Sequence, residues 1–172
     1  ITSGTNTWTV SGNIDFTGGT YTASQGAGEN LLVMNGTGGK TITGNSQSLR
    51  NFSVDPTSSD TITLTGSDLT VARNITIGSN DTLSIGSGRT ITYSGATDII
   101  WGNASSTISG SGKLTITDAS SGPGIDGTLS TNVRFDATNA SIVAGTIDAR
   151  TYGGTVEFFS NSTSSRTATL AT

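Results

Sequence analysis

The chain has 172 residues, a net charge of −4, 31% hydrophobic residues, 24 glycines, and neither Cys nor His. This composition excludes a disulfide framework, removes the commonest general base and metal ligand, and lacks the basic cluster that a nucleic-acid surface needs. No apolar run approaches the roughly 20 residues of a membrane span.

In chain order, residues 1–19 read as a partial coil, with Trp8 and Val10 on one face and Ile14 and Phe16 on the next. Regular coils follow over 20–150. Each opens on a hydroxyl–apolar–hydroxyl triplet: Thr20-Tyr21-Thr22, Thr41-Ile42-Thr43, Thr61-Ile62-Thr63, Thr82-Leu83-Ser84, Thr107-Ile108-Ser109 and Thr128-Leu129-Ser130. Residues 151–172 read as a partial last coil opening at Thr151-Tyr152-Gly153. The central apolar residues are 21, 20, 21, 25, 21 and 23 positions apart, a period that marks a repeat architecture.

Within each unit a second apolar cluster follows the triplet, such as Leu49 and Phe52, Leu69 and Val71, or Ile91 and Tyr93. A third closes the unit, such as Ile75 and Ile77, or Ile99 and Trp101. Gly38-Gly39, Ser58-Ser59 and Ser79-Asn80 supply corners, and Pro56 and Pro123 also fall between clusters. The run 23–28 reads as a wide corner. The expected fold is therefore one all-β domain spanning 1–172, a parallel β-solenoid of about 7–8 coils of 20–25 residues, with three short strands per coil. Such a solenoid needs only a narrow core, which fits the low hydrophobicity.

In a strand, alternate side chains face opposite ways. Tyr21, Ile42, Ile62, Leu83, Ile108, Leu129 and Tyr152 are thus expected inside, stacked in one column. Outward hydroxyl columns are expected from Thr20, Thr22, Thr41, Thr43, Thr61, Thr63, Thr82, Ser84, Thr107, Ser109, Thr128, Ser130 and Thr151. Such an array is the feature with which an ice-binding solenoid orders water; the plainer reading is that Thr is a good strand residue.

Seven Asn residues stand in Asn-x-Ser/Thr triplets and are candidate N-glycan acceptors: Asn35, Asn51, Asn74, Asn80, Asn103, Asn139 and Asn161. Asp60 and Asp81 are expected to stack one coil apart above Lys40, and Arg134 and Glu157 to occupy matching positions. Paired carboxylates of this kind suit a structural Ca²⁺ or glycoside cleavage; the plainer reading is solvated corner charges. The acids are spread along the chain, so no catalytic residue and no cofactor is assigned. Trp8 and Trp101 are expected at inward parity, and Phe159 is the candidate exposed aromatic contact.

Stretches such as Gly36-Thr37-Gly38-Gly39-Lys40-Thr41-Ile42-Thr43-Gly44, Ser67-Asp68-Leu69-Thr70-Val71 and Gly86-Ser87-Gly88-Arg89-Thr90-Ile91-Thr92 resemble the repeats of large bacterial and archaeal surface proteins. The resemblance implies a right-handed parallel β-helix, an extracellular or cell-surface location, and an adhesive or exoskeletal role. The leading expectation is a non-catalytic structural or adhesive module, with end-to-end self-association and surface glycans as partners. A carbohydrate-binding or carbohydrate-cleaving tailspike-like β-helix is the alternative, and ice binding the second. The chain opens on Ile1 rather than Met and shows no evident polar cap, so it reads as a processed product or an excerpt of a longer solenoid.

Overall fold

The computed structural model describes residues 2–3, 6–19, 21–23, 30–56, 58–95, 100–101, 105–117, 127–138, 142–144, 153–164 and 168–170. These form an all-β solenoid in which every strand pairing is parallel and joins one turn to the next. The six-stranded sheet runs through Ile14–Asp15, Lys40–Gly44, Thr61–Gly66, Thr82–Ile85, Thr107–Ser109 and Thr128–Leu129. The eight-stranded sheet runs through Thr2–Ser3, Thr22–Ala23, Gln47–Leu49, Leu69–Val71, Thr90–Tyr93, Lys113–Ile116, Asn132–Asp136 and Val156–Phe159. The five-stranded sheet contains Thr7–Val10, Leu31–Met34, Asn51–Val54, Ile75–Ile77 and Ile100–Trp101. Ile142–Ala144 and Ala168–Leu170 form a further parallel pair.

Five turns carry a strand on all three faces among the described residues, fewer than the seven to eight expected. The eight-stranded sheet continues for further turns whose other faces fall partly outside the described residues. Ile14, not Tyr21, heads the six-stranded sheet by pairing with Ile42, and Thr22 pairs with Ser48 in the eight-stranded sheet. Trp8 and Val10 accordingly pair with Leu32 and Met34 in the five-stranded sheet, and Phe52 joins them there. Thr20, Thr151 and Tyr152 lie outside the described residues.

The core is a narrow stack to which the central turns supply a pair of apolar residues per face. In the third turn these are Phe52 and Val54, Ile62 and Leu64, and Leu69 and Val71, all buried. The fourth repeats the arrangement with Ile75 and Ile77, Leu83 and Ile85, and Ile91 and Tyr93. Like side chains thus stack on like at the strand spacing of about 4.8 Å. Gln47 takes the position that Leu69 and Ile91 hold above it. Its amide is satisfied there: Oε1 accepts from the Tyr21 N–H and Nε2 donates to the Asn45 carbonyl.

One register differs from expectation. Ile62, Leu83, Ile108 and Leu129 pair in one column, but Ile42 pairs with Leu64 and Thr41 with Thr63. The offset is two residues, so every side chain keeps its side of the sheet. A glycine pair fits the corner of this register. Gly44 aligns with Gly66, which has a φ of 71°, and a β-carbon on Gly66 would stand 2.6 Å from the Gly44 carbonyl oxygen.

Candidate contact face and corner sites

The outer surface of the eight-stranded sheet carries the most varied side-chain chemistry. Ser48, Thr70, Thr92, Thr115, Arg134 and Glu157 form one column along it. Strand parity places these residues outward because Leu69, Ile91, Leu114 and Val133 beside them are buried. An open groove of about 380 Å³ lies across three of these turns. Thr90, Thr92, Thr115 and Thr117 give it hydroxyls, and Lys113, Arg134 and Asp136 give it charge.

The charges are held against one another. An Arg134 guanidinium nitrogen lies 3.4 Å from Asp136 and another 3.8 Å from Glu157. Lys113 lies 3.5 Å from the other Glu157 oxygen. The Arg134 guanidinium carbon stands 3.6 Å from the centre of the Phe159 ring, a cation–π contact. Asp136 also accepts from the Thr138 N–H. The expected match of Arg134 with Glu157 is therefore a register pair. Phe159 stands in the outward column with Asp136 as expected, but it is part-covered beneath Arg134. The more exposed ring is Phe158, stacked on Phe135 at 5.4 Å with 51% of its surface exposed.

On the six-stranded sheet the hydroxyl columns run Thr61, Thr82, Thr107, Thr128 and Thr41, Thr63, Ser84, Ser109. Thr43 moves beside Thr65, with 3.4 Å between hydroxyl oxygens. Ser130 is exposed at the end of this face. Thr22 lies in the eight-stranded sheet instead.

The glycan-acceptor candidates fall in different environments. Asn80 and Asn161 are exposed, and Asn35 is half-buried, accepting from the Ser11 hydroxyl. Asn51 is 6% exposed; its amide nitrogen donates to the Asn30 carbonyl, and its oxygen accepts from the backbone and amide of Asn74. These two Asn side chains form a ladder at a corner, which leaves Asn51 no room for a sugar. Sequence reasoning missed this ladder, whose signal is Asn recurring at Asn30, Asn51 and Asn74. Asn103 and Asn139 lie outside the described residues, as does Pro123. The backbone of Trp101 falls in register with Thr76, and its side chain lies outside the described residues; Trp8 packs on the core and edge-on to Tyr21 at 5.6 Å.

At the corner entering the six-stranded sheet, Asp60 and Asp81 do occupy successive turns, since the Thr82 N–H donates to the Asp60 carbonyl. Their carboxylates differ sharply. Asp60 accepts from the Ser58 hydroxyl and the Gly38 N–H, and these bonds, the hydroxyl first, hold its pKa below the ordinary value. Asp81 is 2% exposed; burial, and then the charges of Asp55 and Asp60, push its pKa up against a bond from the Asp60 backbone. No group of three His, Cys, Asp or Glu with metal-holding geometry occurs among the described residues. No protein family, curated protein or solved structure matches the chain.

Proposed function

We propose that this solenoid is a non-catalytic, extracellular structural or adhesive module whose contact surface is the outer face of the eight-stranded sheet. The groove of hydroxyls and paired charges, with the Phe159 ring packed on its Arg134, carries the reading. Threonine hydroxyls and fixed carboxylates offer the donors and acceptors that match a polyhydroxylated chain, so a surface glycan is the partner class. Lys113 and Arg134 are engaged with Glu157 and Asp136, which suits recognition more than proton transfer. A glycan array tests it. The parent chain is expected to bind a saccharide class, and Arg134→Ala to weaken that binding at least about tenfold by removing a charge-assisted donor. Thr63→Ala, on another sheet, is expected to leave it unchanged. Failure of the parent to bind any glycan, or equal binding by Arg134→Ala, rejects the groove as the contact site.

A second reading, head-to-tail continuation of the stack, rests on Phe158. It occupies the column of Val71, Tyr93, Ile116 and Phe135, all buried, yet is half exposed, because Val156–Phe159 is the last strand of its sheet among the described residues. An apolar column ending on an open strand edge is a template for further pairing.

A further inference from the structure

We propose that the corner at Gly78 binds a divalent cation of the hard, oxygen-seeking class typified by Ca²⁺, with the Asp55 and Asp81 carboxylates as its protein ligands. Gly78 separates the end of Ile75–Ile77 from the start of Thr82–Ile85, and Asp55 holds the matching corner one turn below. A β-carbon on Gly78 would fall against Asp81 Oδ2 and 2.9 Å from Asp55 Oδ1. The two oxygens therefore flank one small space, no farther apart than two Ca–O bonds laid end to end, about 5 Å. A second observation concerns the other oxygen of the same carboxylate. Asp81 is 98% shielded, and although its carboxylate takes a bond from the Asp60 backbone, its Oδ1 is buried with no hydrogen-bond partner. Among the described residues no ion pair joins Asp81 to a Lys or Arg; Lys113 and Arg134 pair with Glu157 and Asp136.

A shielded carboxylate beside a second carboxylate needs a positive charge or a proton. Asp55 is exposed and gives an ion a way in. Two carboxylates supply up to four oxygens, and water on the Asp55 side completes the six to eight that Ca²⁺ takes. Asp60 is not part of the set, because its carboxylate is bound to Gly38 and Ser58 of the neighbouring corner turns. The site would pin two successive turns together at the corner, and it is independent of the adhesive reading.

The experiment is thermal unfolding of the full chain after EDTA treatment, with and without CaCl₂, alongside Tb³⁺ luminescence as a direct binding probe. The parent Tm is expected to rise by at least about 3 °C with Ca²⁺, and Tb³⁺ to bind and be displaced by Ca²⁺. Asp81→Asn and Asp55→Asn are each expected to abolish both signals; Asp55 is exposed, so its variant keeps the test valid even if Asp81→Asn folds poorly. Absence of both signals in the parent, or their survival in the Asp55→Asn variant, overturns the proposal.

Discussion

Asp81 is a shielded carboxylate with one oxygen unpaired and the charges of Asp55 and Asp60 nearby. Its pKa is raised by folding, so above the ordinary value the folded chain holds a proton that the unfolded chain has released. Stability from this group is full at low pH and is lost as pH rises through the raised value. Asp60 and Asp15 run the other way. Their lowered pKa values, set first by the hydroxyls of Ser58 and Thr17, give stability above the ordinary value that is lost as pH falls. We therefore predict that in EDTA Asp81→Asn raises stability by about 1 kcal/mol at pH 7, the scale of one unsatisfied buried group. The difference should close toward pH 3, where the carboxyl is neutral. Thermal unfolding of parent and variant at both pH values checks this; a gap that widens on acidification would contradict it. The sequence made Asp81 conspicuous through its alignment with Asp60. It did not point to Asp55, which lies in a different part of a Pro-containing corner, so that only three-dimensional convergence on Gly78 joins the two.

A strand of this solenoid is defined by which side chains it sends inward. In Thr61–Gly66, Ile62 and Leu64 are fully buried while Thr61, Thr63 and Thr65 stay half exposed. We predict that Ile62→Asp prevents folding, because it places an unpaired charge in a core one side chain wide. Thr63→Asp should cost less than about 1 kcal/mol, as expected of a surface position. Circular dichroism and thermal unfolding of the two variants distinguish them, and equal folding would overturn the assigned parity. Parity was legible because hydroxyl and apolar residues alternate without a break. Register was not: Thr-Ile-Thr-Leu-Thr offers Ile42 two apolar partners of the same parity, Ile62 and Leu64. The adopted register sets Gly44 against Gly66 at the corner, a close backbone fit invisible to a hydrophobicity pattern. Phe159 shows the same division. Its outward side could be read from alternation, whereas its cover by Arg134 from the turn before could not.

At the scale of the whole stack, stability is close to a sum over turns, each resting on its neighbours. On the head-to-tail reading, the end of the core column at Phe158, half exposed among the described residues, is where one copy would meet another. We predict concentration-dependent, head-to-tail association that Phe158→Lys reduces to monomer in sedimentation velocity without changing the circular dichroism spectrum. A parent that stays monomeric at high concentration removes this reading. The repeat and its three-sided section were legible from the spacing of the triplets and clusters; the face of Tyr21 was not, because its Thr-Tyr-Thr triplet imitates a first-face strand but borders the eight-stranded sheet.

The two-residue slip between Ile42 and Ile62 has a consequence for how such a chain can change over generations. A strand that advances by two hands its neighbour an equivalent side chain, whereas one that advances by one turns its oily side to water. The fold therefore does its arithmetic modulo two. Dipeptide insertions and losses within a strand are silent to the interior, and single ones are not. Repeats of this kind are free to lose all resemblance in length and wording while the column inside them stays aligned.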